Sequence, residues 1–489
     1  MQAKTATAKI NRNNPFVNFF RSIGDWFANF GKMLIDGSVG TKLSYLIFGA
    51  GSFYHKQWIK GLIYFLVQCA FVAFMIFCPE VNHTPFGYKA LINLKLGGFE
   101  GGEFDPITGT ITLASNTRLY LLFGIVTIAI CILYIIVWIS NIQSSYKADL
   151  DMKKGLKPST FKEDCAQLLD SKFHTLMLTP TCIAALVFTL LPTIFMICIA
   201  FTTYNDFDMN ALETKLFYWS GLENFQKMFT GTGKLGREIH DRFFPVLGWT
   251  MIWAILATFT CYFGGIILAI LINKKGIKGK KIFRTIFILT IAIPQFISLL
   301  AMRNLLSGAG PVNKLIMDLG ISDKPIGFLG LNAVGDDPNL AKFMVIIINM
   351  WVGIPYTMLM TSGILMNIPT DLYEAARVDG AGRIKQFFKI TFPYIFFITT
   401  PYLISSFIGN INSFNTIFLL TGGGPSVPGK TYVAGQTDLL VTWLYKLTID
   451  NKEYNTGAVI GILTFLITAT ITLITYRRSK TYKEEDTFQ

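Results

Sequence analysis

Eight long apolar stretches dominate the sequence and restrict the folds that the chain can adopt. A bilayer core of roughly 30 Å is crossed by about 20 apolar residues in a helix, whose backbone polar groups are satisfied internally. All 30 Asp and Glu residues lie outside these stretches, as expected of segments that face lipid. The sequence therefore predicts an all-α integral membrane protein with eight transmembrane helices, at about 59–78, 119–140, 175–203, 243–273, 282–302, 343–366, 394–420 and 457–476.

The segments between the stretches suggest how the chain is organised. Aromatic residues at Trp26 and Phe30 predict an amphipathic surface helix, and the short apolar stretch at 43–53 is expected at the interface or as a re-entrant segment. The predicted divisions are an interfacial, cytoplasmic N-terminal segment at 1–58, two helices with an extracellular loop at 59–143, a cytoplasmic linker at 144–173, a six-helix region at 174–477 with a polar loop at 369–393, and a cytoplasmic tail at 478–489.

The distribution of Lys and Arg predicts the orientation in the membrane. With the N-terminus inside, the inside segments carry 27 of the 43 basic residues, whereas the outside loops carry 14 together with 17 acids. The positive-inside rule then places both termini in the cytoplasm. The net charge of +13 is spread over the cytoplasmic loops, a pattern that favours membrane lipid as the partner of these charges and argues against nucleic acid.

One polar segment, "DLYEAARVDGAGRIKQFFKITFPYI" at 371–395, interrupts the apolar part of the chain. Pro369 and Asp371 predict the start of a helix, because proline fits the first turn and a carboxylate meets the positive end of the helix dipole. Gly380 and Gly382 predict an elbow, after which a second helix leads to Pro393. From these residues alone, an interfacial connector is the simplest interpretation.

The full spacing of this segment resembles the EAA motif of the membrane subunits of ABC importers, with E-A-A at 374–376, D-G-A at 379–381 and I-x-x-P at 390–393. In that family the first helix is a coupling helix that sits in a cleft of a cytoplasmic ATPase. The resemblance implies that Glu374 pairs with a basic residue of the ATPase, that Ala375 and Ala376 permit close approach, and that Asp379 and Gly380 shape the elbow.

A longer part of the chain, about 174–476, resembles the six-helix type I core of carbohydrate permeases, especially those of the MalF type. The matching stretches include "NMWVGIPYTMLM" at 349–360, "LLTGGGP" at 419–425 and "TDLLV" at 437–441. The resemblance implies a second, MalG-type permease, an ATPase dimer and an extracellular sugar-binding protein or lipoprotein as partners. It also implies an oligosaccharide substrate, with maltose or maltodextrin as the first expectation and galactan, alginate or mixed oligosaccharides as alternatives. Unlike MalF-type permeases that carry a large domain after the third helix, this chain has only 204–242 there.

Polar residues within the predicted spans are candidates for holding the sugar. Ser406, Asn410 and Ser413 recur at spacings of four and three, which predicts one helical face, and Asn349 stands on the sixth span. From periodicity alone, contacts between neighbouring helices explain these residues equally well. The resemblance to MalF-type permeases implies a sugar site built from Asn349, Val352, Gly353, Ser406, Gly409, Asn410 and Ser413.

Other classes of function fit the sequence less well. A G-x-x-x-x-G-K-T spacing occurs at 424–431, but it lies in a predicted outside loop rather than between a strand and a helix, so we do not expect it to bind ATP. The resemblance to ABC importer permeases implies that the chain is no enzyme, with ATP and Mg²⁺ used by the partner ATPase and no cofactor bound here. An ion-coupled sugar transporter remains the alternative from another class, but its usual intramembrane carboxylate is lacking. The seven Cys and four His residues show no shared ligand spacing, so we predict neither a metal site nor a catalytic site.

Overall fold

The structure, a computed structural model, describes residues 15–81, 84–95, 117–205, 218–274, 279–331, 336–427 and 433–478. The start of the chain to 14, the middle of the basic turn at 275–278 and the tail from 479 lie outside the described residues. The chain forms two compact units: Met1–Met196 with Ala211–Trp219, and Ile197–Asn210 with Ser220–Gln489.

The first unit is helical apart from one two-stranded ladder. Its strands β1 and β2 pair antiparallel, with Glu80 opposite Pro85. The elements up to the unit boundary are α1 Pro15–Asp36, α2 Val39–Leu43, α3 Ala50–Tyr54, α4 Trp58–Phe77, β1 Glu80–Val81, β2 Thr84–Pro85, α5 Tyr88–Asn93, α6 Thr117–Lys153, α7 Phe161–Leu169, α8 Phe173–Ala185, a π-helical turn Leu186–Leu190, and α9 Leu191–Ala200, which contains the boundary.

Helix α6 organises the first unit. Its 37 residues correspond to about 55 Å, so its polar C-terminal part extends well past a bilayer core. Asp149 in this part accepts hydrogen bonds from the Thr41 hydroxyl at 2.6 Å and the Ser38 backbone at 2.8 Å, and it pairs with His55 Nε2 at 2.6 Å. The apolar stretch at 43–53, expected at the interface, is thus bracketed by α2 and α3 and held against α6.

The second unit is also helical. Its elements are α10 Glu223–Thr230, α11 Gly233–Asn273, α12 Lys280–Ala292, α13 Gln295–Leu305, α14 Pro311–Asp318, α15 Pro338–Met366, α16 Thr370–Val378, α17 Arg383–Gln386, a π-helical turn Phe387–Thr391, α18 Phe392–Ile411, α19 Phe414–Leu420, α20 Leu440–Tyr445, a π-helical turn Lys446–Asp450, and α21 Tyr454–Arg478. Trp253 of α11 is completely buried, in a core with Leu299, Val345 and Ile417. This core fixes α11 and α15 side by side.

The predicted fold class is confirmed. In the described part of the chain, seven helices are long and apolar enough to cross a membrane, and a bent pair brings the number to eight if it forms one span. The bent pair, α12 and α13, replaces the straight fifth helix that we predicted, with an angle of 93°. Its cause is Pro294, because a residue before proline avoids the helical region, and Ile293 is accordingly extended with ψ 125°.

The seventh predicted span, 394–420, is corrected at both ends. A helical path begins earlier, at Arg383, and passes through the π-helical turn at Phe387–Thr391, where the Phe392 N–H donates to the Phe387 carbonyl. Since Pro393 has no N–H to continue the regular ladder, the wider turn accommodates it. At the other end α18 stops at Ile411, because Asn412 and Ser413 favour local hydrogen bonds over helix, and α19 is a separate short helix.

Candidate coupling and sugar-binding sites

The segment that resembles a coupling helix folds as a short, exposed helix. Helix α16 has Asp371 in its first turn and Arg377 in its last, so both charges complement the helix dipole. None of its residues is fully buried. It is tethered by the Tyr373 hydroxyl, which lies 2.9 Å from the Thr391 hydroxyl on the following helix. The helix is therefore presented to its surroundings rather than packed into the second unit.

The glycine elbow is formed as the sequence predicts. Gly380 has a left-handed φ of 74°, and its N–H donates to the Arg377 carbonyl at 3.0 Å. The Ala381 N–H donates to the Ala376 carbonyl at 2.8 Å, which completes the C-terminal motif that glycine favours. Gly382 differs, because its φ of −66° and ψ of 165° suit any residue. Gly380 alone of these two glycines is thus required by the backbone.

The exposed face of α16 carries both apolar and acidic groups. Val378 is 88% exposed and Leu372 is 46% exposed, while Glu374 and Ala375 are exposed and Ala376 is partly so. Among the described residues Glu374 forms no ion pair. An exposed valine beside an unpaired carboxylate suits a protein partner that offers an apolar cleft and a basic side chain.

The polar residues predicted on the sixth span lie where α15 packs against α11. Asn349 is 9% exposed, and its side-chain amide donates to the Cys261 sulfur at 3.4 Å. One turn further along, a Cβ built on Gly353 would come within 2.6 Å of the same sulfur. Val352 is partly buried between these positions. Gly353 therefore permits close approach of the two helices, and Cys261 sets the position of the Asn349 amide.

The candidates on the seventh span do not share one helix. Ser406, Gly409 and Asn410 lie on α18, whereas Ser413 follows its end and donates to the Thr416 hydroxyl at 3.0 Å. The predicted continuous face of Ser406, Asn410 and Ser413 is therefore wrong at its last member. Gly409 is exposed, and no atom would lie within 4 Å of a Cβ placed there.

The sequence analysis missed the residues of α11 that orient the amides. Thr258 Oγ1 accepts a hydrogen bond from the Asn410 amide at 2.9 Å, and Trp253 donates to the Asn410 carbonyl at 3.1 Å. Thr258 and Cys261 are three residues apart, hence on one face of α11. The spacing of Thr258 and Cys261 within an apolar span was the feature of the sequence that could have indicated these contacts. One helix thus holds both candidate sugar-binding amides in place.

The paired stretches "LLTGGGP" and "TDLLV" fold against each other. The Thr421 and Thr437 hydroxyls lie 2.8 Å apart, and Thr437 donates to the Gly424 carbonyl at 2.6 Å. Buried Asp438 pairs with Lys446 at 2.7 Å and accepts from the Gly435 backbone at 2.7 Å. The carboxylate of Asp438 therefore stabilises the contact between these two stretches.

Comparisons with known proteins assign the family. Residues 261–480 match the family described as binding-protein-dependent transport system inner membrane component. The galactooligosaccharides transport system permease protein GanP of Bacillus subtilis is 31% identical over 90% of this chain and 97% of its own length. The chain belongs to the MalF-like carbohydrate permeases of ABC importers. It is thus a membrane-embedded sugar-importer subunit, and ATP hydrolysis in such importers is done by a separate ATPase subunit.

Two further relatives of this permease differ in how much of them is matched. The maltodextrin transport system permease protein MalC of Streptococcus pneumoniae is 31% identical over 90% of this chain and 96% of its own length. The maltose/maltodextrin transport system permease protein MalF of Salmonella typhimurium is 38% identical, but over 53% of this chain and 49% of its own length. GanP and MalC therefore match this permease over nearly its whole length, whereas MalF matches about half of it.

Proposed function

We propose that this permease translocates a maltodextrin-type oligosaccharide in an ATP-driven importer. The similarity to permeases named for maltodextrin and maltose supports this class. Asn349 is buried, Asn410 is partly buried, and the partly buried Val352 lies three residues after Asn349 on α15. Amides that donate and accept hydrogen bonds next to apolar surface suit a sugar, whose hydroxyls alternate with C–H faces.

A galacto-oligosaccharide is the second candidate substrate. The relative that bears this name matches the chain over 90% of its length at 31% identity, the same as the maltodextrin permease MalC. No atom of this chain lies within 4 Å of where a Cβ of Gly409 would be, so a sugar of another shape would meet no side chain at this position of the proposed site. Equal sequence identity to the two permeases therefore supports an oligosaccharide as the substrate, but it does not favour one glycosidic linkage over the other.

The exposed helix α16 with its elbow is the observation that carries the mechanism. In our proposal an ATPase dimer binds Mg²⁺ and ATP and closes, and it moves α16 of this subunit and the corresponding helix of a MalG-type sister permease. Glu374 pairs with a basic residue of the ATPase, and Ala375 and Ala376 contact its cleft. The pair then turns outward and receives sugar from an extracellular binding protein, with both termini of this chain in the cytoplasm.

The contact with the ATPase is tested by photo-crosslinking from position 378 in the assembled importer. Val378 is 88% exposed, so a photoreactive residue there should capture the ATPase. The control is position 229 on α10, where Phe229 is 47% exposed within the segment 204–242 that we predict to be extracellular. Capture of the ATPase from position 229, or failure at position 378, would contradict the proposed orientation.

The substrate is tested with the importer in proteoliposomes. We expect uptake of labelled maltodextrin that needs ATP and its binding protein and that a protonophore does not abolish. Competition by unlabelled maltodextrin but not by galacto-oligosaccharide supports the first candidate, and the reverse supports the second. Uptake that persists without ATP and collapses with the ion gradient would establish the ion-coupled alternative instead.

A further inference from the structure

A polar cavity of about 500 Å³ lies in the first unit, far along the chain from the residues of the proposed sugar site. Its walls come from α4, α6, α7 and the turn after α7. All but two of its lining residues are polar. A volume of this size is within the range of small-molecule sites, and the mechanism proposed above makes no use of it.

The cavity follows polar stripes on two otherwise apolar helices. Lys60 is the sole charged residue of α4, and it lines the cavity with Tyr64 one turn further along. On α6 the stripe includes Gln143 and Lys147, which are also one turn apart. Tyr64 lies six residues into α4, about 9 Å along its axis. The cavity therefore extends from the polar linker into the first two turns of the span predicted at 59–78.

The lining residues leave positive charge at the cavity. Lys60 donates to Asp164 at 2.7 Å, and the Ser159 hydroxyl donates to the same carboxylate at 2.8 Å. Burial alone would raise the pKa of Asp164, but these two contacts outweigh it and lower the pKa, so the carboxylate stays ionised. Lys147 and Lys172 line the cavity and form no ion pair within the described ranges.

A buried amide supplies the second, independent feature. Gln57 lines the cavity and is 9% exposed. Its amide nitrogen donates to the Ser159 carbonyl at 2.7 Å, whereas its Oε1 accepts no hydrogen bond from any described residue. Because a buried acceptor without a donor is unfavourable, a hydroxyl in the cavity would stabilise this oxygen once the Gln57 side chain turns toward it.

We propose that the cavity binds the headgroup of an anionic, hydroxyl-bearing phospholipid, of which phosphatidylglycerol is the simplest. Its phosphate meets Lys147 and Lys172, and a glycerol hydroxyl donates to Gln57 Oε1. Its acyl chains lie along α4, of whose span only 6% is buried. The shared chemistry, a phosphoryl group beside a hydroxyl, also occurs in free polyol phosphates. A phosphodiester with one negative charge matches the single excess positive charge of the three lysines and two aspartates in the lining.

The test is lipid binding to the purified full chain in neutral detergent, followed by native mass spectrometry. We expect phosphatidylglycerol to bind more tightly than phosphatidylcholine, and about fivefold more tightly than phosphatidylethanol, which has the charge but no headgroup hydroxyl. The double variant Lys147→Gln with Lys172→Gln should weaken phosphatidylglycerol binding about thirty-fold. Gln57→Leu should bring phosphatidylglycerol down to the level of phosphatidylethanol.

A matched control is available nearby. The double variant Lys154→Gln with Lys157→Gln removes the same charge from exposed lysines outside the cavity, and it should bind phosphatidylglycerol as the wild type does. An equal loss of phosphatidylglycerol affinity in both double variants would overturn the site, because binding would then depend on the overall surface charge and not on the cavity. Glycerol 3-phosphate that binds the lipid-free protein as tightly as phosphatidylglycerol does would overturn the lipid as its occupant.

Discussion

Replacement of Gly380 gives a sharp test of the elbow that follows α16. Gly380 has a left-handed backbone conformation, and a Cβ placed on it would meet no atom within 4 Å. A side chain at this position would therefore strain the backbone but would not clash with neighbouring atoms. Helix α16 buries no residue, and the described contacts that oppose a turn of the elbow are few, chiefly the Tyr373 to Thr391 contact and the Gln386 amide bound to the Ala381 carbonyl. Strain at position 380 should therefore change the direction of α16 and leave the rest of the second unit folded.

The size of the effect follows from the cost of the left-handed conformation. An alanine there costs about 1 kcal/mol, or roughly fivefold in the population of the native elbow, and a β-branched valine costs about 2 kcal/mol, or roughly thirty-fold. Asparagine tolerates this conformation, so Gly380→Asn should behave nearly as the wild type does. The expected order of coupled transport is Gly, then Asn, then Ala, then Val.

Sugar uptake and ATP hydrolysis by the importer in proteoliposomes measure this order. Uptake per ATP hydrolysed should fall in Gly380→Ala and further in Gly380→Val, while the amount of inserted protein stays constant. Gly382→Ala is the control, because Gly382 is extended and open. Normal uptake in Gly380→Val, or an equal defect in Gly382→Ala, would refute the reasoning.

Three further predictions concern packing and charge. Thr258→Val removes the acceptor for the Asn410 amide and should raise the KM of sugar uptake about fivefold, whereas Thr260→Val, at a hydroxyl bonded within its own helix, should not. Gly353→Ala should lower the free energy of unfolding by about 1–3 kcal/mol, because the added methyl would lie within 2.6 Å of the Cys261 sulfur. Adding Cys261→Ala should restore part of this loss, because it removes the clash but also the acceptor of the Asn349 amide. Asp164→Asn should lower the thermal unfolding temperature at pH 7, and the gap to the wild type should close below about pH 4.

The sign of the pH effect follows from the direction of the pKa shift. The folded state depresses the pKa of Asp164, so the carboxylate stabilises the fold above its unfolded pKa. That stabilisation is lost as the pH falls through the folded pKa. A gap between Asp164→Asn and the wild type that widened in acid would contradict this assignment, as would a Gly353→Ala variant that Cys261→Ala failed to rescue.

The fold of the candidate coupling segment was predictable because its signals are local. Pro369 and Asp371 start α16, Gly380 ends it, and each acts through atoms within a few residues along the chain. The same locality explains why most long spans were found, since a run of apolar residues suffices. The fifth span deviates at Pro294, where local chemistry was visible in the sequence but the angle between its two halves was not.

The geometry of the candidate sugar site was only partly predictable because it depends on contacts between helices. The spacing of Ser406, Asn410 and Ser413 satisfied a helical period, but the helix ends at Ile411 and the period has no meaning beyond it. The partners of the two amides come from α11, about 90 to 150 residues earlier in the chain. No spacing rule within one segment connects such positions.

The contacts of α11 also indicate how the proposed sugar site could be accommodated in an apolar bundle. An amide without a partner in a low-dielectric interior is costly, so in the absence of sugar Asn349 and Asn410 need donors or acceptors from the protein. Cys261 and Thr258 fill that need, with contacts at 3.4 Å and 2.9 Å. The sulfur is a weak acceptor, so the Asn349 amide can exchange it for a sugar hydroxyl with a net gain, whereas Asn410 is held more firmly by Thr258. Of the two amides, Asn349 should therefore contribute more to affinity and Asn410 more to the shape of the site.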